Sequence, residues 1–205
     1  MATIIDIIMS AFMGGTLLII ILTANDIATE NSSMITGNQL VQESLASVSQ
    51  FVEGEFRNMG FGIPDSEKVI LFADSSTLQF RVDLRPYDGI PDTVTFSLGP
   101  TSELAATQNE QDRYLYRKVN QSAKAAIGVV TQFRLRYISR NGAEFAMPVA
   151  AVNLKQIFEV ETTIEVQNSH ALYRRPGEVH AGERDALYSS VLWKQTRLAS
   201  QNLRR

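Results

Sequence analysis

Hydrophobic and polar positions fall into three regimes along the chain. From Ile4 to Ala24 (IIDIIMSAFMGGTLLIIILTA) apolar residues surround the whole helical circumference, and no charge occurs between Asp6 and Asp26. At about 1.5 Å per residue this stretch matches a bilayer core of about 30 Å. A helix that is apolar on every side is not an amphipathic core helix, so residues 1–25 predict a transmembrane or equally apolar helix. Nothing basic precedes the apolar run, which separates it from a cleaved secretory signal.

The second regime has one apolar stripe. Val41, Leu45, Val48, Phe51, Val52, Phe56 and Met59 recur in helical steps. Gly60-Phe61-Gly62-Ile63-Pro64 then supplies a left-handed cap and a blocker. Residues 26–60 are therefore an amphipathic continuation of the same long helix, with its stripe docked on the C-terminal body.

The third regime, 61–205, alternates with period two. Lys68 to Phe72, Thr77 to Leu84 and Thr93 to Leu98 are short alternating runs, parted by Asp74-Ser75-Ser76 and by Pro86-Tyr87-Asp88-Gly89. Arg113 to Val119, Val129 to Ile138, Ile157 to Val166 and Tyr188 to Leu198 continue the pattern. The polar run 100–112 predicts a loop or short helical turn, and 168–187 an Arg-rich loop. The expected architecture is α+β: a long N-terminal helix packed on a single antiparallel sheet of about six or seven strands, with one wet face.

Charge sharpens this division. The first 56 residues contain no Lys or Arg and six acids: Asp6, Asp26, Glu30, Glu43, Glu53 and Glu55. All 19 basic residues lie in residues 57–205, giving that part a balance of +3 against −3 for the whole chain. That net charge argues against nucleic-acid binding as a bulk property. The basic-residue asymmetry is nearly mute on orientation. The short N-terminus is expected to stay cytoplasmic and the body to lie outside.

Candidate chemistry is sparse. With no cysteine and only His170 and His180, thiolate and His-built metal centres are disfavoured. No enzyme motif appears, and no cofactor is expected. Asp83, Asp88 and Asp92 surround a turn, but their spacing does not match a calcium loop; solvated turn acids are the plainer reading. His170 and His180 with Glu178, Glu183 and Asp185 are interleaved with Arg174, Arg175 and Arg184, which oppose a cation. Arg134 and Arg136 share one side of a strand, which suits either a nucleic-acid surface or a charged wet face.

Two features of the apolar helix stand out. Asp6 either sits at headgroup level, where the helix dipole favours an acid, or pairs with an α-amine, its own or a neighbour's. Gly14-Gly15 is a close-packing face, a point where the helix loosens, or simply a pair of tolerated small residues.

The layout resembles the type IV pilin and pseudopilin superfamily. The specific likeness is to its larger minor members, the W-type minor pilins and the J-type minor pseudopilins of type II secretion. LVQESLASVSQFVEGEFRNMGFGIP looks like their helix exit. RYLYRKVN is similar to their Tyr-then-Arg strand, and IGVVTQFRLRYISRNG and IFEVETTIEVQN look like two of their later strands. The resemblance implies a non-catalytic subunit, anchored in the inner membrane and assembled with other pilin-like subunits through its N-terminal helix. It implies subunit-assembly roles for Asp6, Gly14 and Gly15. The family's basic leader and its Phe-Thr-Leu-Ile-Glu-like start are not found in this sequence. Removal of Met1 ahead of Ala2 would make Asp6 the fifth residue, the family's carboxylate position, so Met1 and Ala2 are the candidate processing positions. The alternatives are a non-polymerising single-pass envelope scaffold and an envelope enzyme using the loop at 170 to 185.

Overall fold

The computed structural model describes residues 2–85, 89–107, 109–168 and 192–198. Helix α1 runs unbroken from Ala2 to Arg57, about 84 Å at 1.5 Å per residue. Its last third carries the apolar stripe into the body: Val41, Val48, Val52 and Phe56, and Met59 just beyond the helix, are each at most 3% exposed. Phe56 is the anchor, meeting Phe80 and Phe96 edge-on at 6.0 and 5.2 Å, a favoured arrangement for aromatic quadrupoles.

The helix ends where the glycines fall. Gly60 and Gly62 both adopt positive φ, 79° and 74°. A Cβ on Gly62 would lie 2.5 Å from the Cβ of Asp83, so this turn needs glycine. Gly60 N–H donates to the Arg81 carbonyl at 2.9 Å, and Asp83 N–H to the Phe61 carbonyl at 2.8 Å. These bonds staple the helix exit to the sheet.

The fold is α+β, a long N-terminal helix packed on antiparallel strands, as the periodicity predicts. The described strands form two sheets, however, not the single sheet expected from the sequence. In the first, β1 (Ile70–Ala73), β2 (Thr77–Val82), β3 (Asp92–Leu98), β4 (Arg113–Val119) and β5 (Ala125–Val130) make a meander. In the second, β6 (Gln132–Ser139), β7 (Ile157–Val166) and β8 (Leu192–Leu198) make another. The expected strand Val129 to Ile138 comprises the end of β5 and most of β6. The break is at Thr131, whose N–H donates to the Glu165 carbonyl at 2.9 Å while the chain changes partners from β4 to β7. The polar run after Leu98 holds a short 3-10 turn, Thr101–Leu104. The expected loop 168–187, beyond Asn168, and the start of the last expected strand, 188–191, lie outside the described residues.

Both sheets share one core beneath the helix. Leu135 N–H donates to the Ser75 carbonyl at 2.8 Å, and the buried Tyr137 hydroxyl to the Asp74 carbonyl at 2.9 Å, so β6 is tied to the β1–β2 turn. Burial pushes the Tyr137 phenol well above its ordinary pKa. On the helix side, β5 makes its close approach at Gly128. A Cβ there would lie 2.4 Å from Cγ2 of Val48.

Candidate assembly interface

Among the described residues, nothing packs against the first half of α1. Between Ile4 and Leu22, 13 large apolar side chains are 54–71% exposed. Burying such a side chain contributes about 1.5–3 kcal/mol. Leaving all of them in water would cost on the order of 20 kcal/mol, more than the roughly 5–15 kcal/mol that holds a domain folded. The segment is long and apolar enough to cross a membrane.

Its polar side chains are consistent with such surroundings. Ser10 Oγ donates to the Ile7 carbonyl, Thr16 Oγ1 to that of Met13 and Thr23 Oγ1 to that of Ile19, at 2.8–2.9 Å. Each hydroxyl is satisfied within its own helix, the condition a low-dielectric setting imposes. Asp6 alone carries formal charge between Ala2 and Asn25, and it is exposed. A Cβ on Gly14 or Gly15 would meet only open space, and the helix continues unbroken through both. The glycines lie two turns from Asp6, about 12 Å along the axis, so the three candidates share a helix without converging on one site. Helix α1 starts at Ala2; Met1 lies outside the described residues.

Toward the body, the helix acids are put to structural use. Glu55 receives Arg117 Nη2 at 3.0 and 3.1 Å on its two oxygens, and the same guanidinium lies over the Phe51 ring at 5.9 Å. Thr196 Oγ1 donates to Glu53 at 3.2 Å. These pairs fix how the helix is rotated on the sheets.

The remaining candidates do not assemble a chemical centre. Asp92 is buried and accepts from Asn120 Nδ2 at 2.6 Å, while Asp83 accepts from Arg85 N–H at 3.0 Å. Asp88, His170, His180 and the acids around them lie outside the described residues. Among the described residues no group of three potential metal ligands occurs.

Arg134 and Arg136 do share a strand face, but Arg136 is engaged. It pairs with Glu144 and donates through Nη1 to Glu161 at 2.8 Å, while Arg197 Nε donates to the other Glu161 oxygen at 2.5 Å. Arg136, Glu161 and Arg197 are direct cross-strand partners on β6, β7 and β8. Burial alone would raise the Glu161 pKa, but the two arginines hold it below the ordinary carboxylate value. The sequence signal for this ladder is the odd-numbered Glu159, Glu161 and Glu165 on one face of β7. It becomes visible only once register sets Glu161 opposite two arginines.

No family model matches the chain, and no curated protein matches it. Among solved structures it is similar to a type IV-like pilin from Thermus thermophilus. The two share 12% identity with a TM-score of 0.45, over 80% of this chain and 98% of that one.

Proposed function

We propose that this chain is a membrane-anchored, pilin-like subunit that assembles through its apolar N-terminal helix into a type IV pilus or type II secretion pseudopilus. The observation that carries the reading is the continuity of α1. One helix is solvent-facing and apolar on all sides over its first half and docked by a single stripe over its last third. Such an element lets a folded body be stored on a bilayer and then transferred without refolding. In lipid, the 13 exposed apolar side chains meet acyl chains; in a filament, they meet the same segment of neighbouring copies. The hydrophobic gain of the two states is similar, so close packing and charge pairing must set the register.

Asp6 is the group suited to that task. A lone carboxylate in an apolar helix bundle is costly unless paired, and an α-amine of a neighbouring subunit supplies the countercharge. Gly14 and Gly15 expose backbone where another helix can approach closely. No catalysis is part of this reading.

The test is assembly of Asp6→Ala. A sedimentable polymer from the parent chain that is lost in Asp6→Ala, with the variant retained in membranes at parental level, is the expected result. Equal complexes from both chains would favour a static envelope scaffold.

A further inference from the structure

Between its apolar half and its docked end, α1 has a stretch that belongs to neither. From Asn25 to Thr36 every residue is exposed. The apolar run ends at Ala24, and among the described residues the first buried side chain of the helix is Val41. Ile27, Met34 and Ile35 are 44, 37 and 59% exposed, and Asn168 borders an open groove along Ala28, Ser32 and Thr36. A helix in a protein draws most of its stability from a packed face. This neck of 12 residues has none among the described residues.

The neck's own sequence does not make up the difference. Asn25, Asp26, Thr29, Asn31, Ser32, Ser33 and Thr36 are all weak helix formers, because their short polar side chains compete for the backbone's hydrogen bonds. Thr29 Oγ1 donates to the Asn25 carbonyl at 2.9 Å, a back-bond that bends helices. Asp26 and Glu30 are one turn apart, so two like charges meet at the i, i+4 spacing. No Lys or Arg occurs in the first 56 residues, so no ion pair within this part of the helix offsets that repulsion. Gly14-Gly15 is the other weak point, but it lies in the middle of the apolar run. In lipid or among helices a broken backbone hydrogen bond finds no water to replace it; at the neck, water is at hand.

We propose that α1 yields between Asn25 and Thr36 and not at Gly14-Gly15, so that the neck is a swivel uncoupling the direction of the apolar half from that of the body. The inference rests on the apolar surroundings that the membrane-anchored reading gives the first half of α1. As a helix the neck spans about 18 Å, and opened it reaches about 40 Å. A body carried on such a link can sit at one angle above a bilayer and at another on a filament. Both flanking parts of the helix stay as they are, because the change falls on hydrogen bonds that water can replace.

The test is residue-resolved amide hydrogen exchange of the full-length chain in detergent micelles. It compares the parent with Glu30→Lys, which turns the repulsion from Asp26 into an attraction. Amides of 27–36 are expected to exchange at least about ten-fold faster than those of 8–22 and of 45–56. Glu30→Lys slows the neck several-fold at low salt and leaves both flanks unchanged, and added salt removes the difference. Combining Gly14→Ala with Gly15→Ala leaves neck exchange as in the parent chain. Neck amides as protected as those of 45–56, or no slowing in Glu30→Lys, overturn the swivel. Fastest exchange at Gly14-Gly15 beside a protected neck overturns its location. Exchange at 8–22 as fast as at the neck overturns the apolar surroundings, and this inference with them.

Discussion

The two ends of α1 use one backbone for opposite purposes. From Val41 to Phe56 the large apolar residues form a stripe, and all of them but Phe51 are buried against the chain's own sheets. From Ile4 to Leu22 they form no stripe, and the large ones all remain exposed. A helix that packs on one body needs one apolar face; a helix surrounded by lipid or by sister helices needs apolar residues on every side. The distribution of hydrophobicity around the axis, not its amount, tells which half serves the fold and which serves the surroundings.

Removing one aromatic from each half separates them most strongly. Phe56→Ala empties the centre of the core and is expected to cost the body about 3–5 kcal/mol. Phe12→Ala is expected to leave body stability within about 0.5 kcal/mol. Urea unfolding of the two full-length variants in the same detergent, followed by the fluorescence of Trp193, checks both. Equal losses would mean that the apolar half supports the body.

The next effect runs the other way. Leu18→Lys places a charge at the middle of the apolar half, a change of about 2.5–3.5 kcal/mol against membrane insertion, with the urea midpoint unchanged. Carbonate extraction of membranes reads the first quantity; retention equal to the parent chain would contradict it.

A smaller effect tests the seam between helix and sheet. Gly128→Ala forces a methyl group toward Val48 Cγ2, and overpacking of this kind costs about 1–3 kcal/mol. Combining it with Val48→Ala should recover part of the loss, and strict additivity of the two would show that the residues do not touch.

The smallest effect is electrostatic. The folded-state pKa of Glu161 is lowered, so its pairing stabilises the body above the unfolded carboxylate value of about 4.3 and is lost as pH falls through the folded value. The melting temperature should drop more steeply below that pH in the parent chain than in Glu161→Gln. Parallel curves would show that the Arg136–Glu161–Arg197 ladder adds nothing to stability.

Much of this architecture is legible in the sequence because it rests on local periodicity. The long helix, its amphipathic half, its glycine exit and the strand from Ile157 to Val166 each follow from spacing alone. The split into two sheets is harder to see, although a trace of it is present. The buried side chains shift from Val130 to Phe133, Leu135 and Tyr137, an even-to-odd change of phase at Thr131. A strand cannot change phase without a break in its pairing. Strand β5 escapes because Ala125, Ala126 and Gly128 have weak strand preference; Gly128 is there for the close approach of Val48, a tertiary demand that no local pattern encodes. The Glu161 ladder is hidden for the same reason, since it depends on which strands become neighbours. Asp6, Gly14 and Gly15 are legible as anomalies of composition, and their partners lie beyond a single chain.

If the apolar half of α1 becomes a packing surface between subunits, the protein must leave the membrane. The intact mass and N-terminal sequence of the protein in a sheared extracellular fraction read this at once. The chain is expected there as a high-mass polymer, with a mature terminus at Ala2 that puts Asp6 fifth. Recovery only from detergent-extracted membranes, with Met1 retained and no polymer, would contradict a packing role for the helix.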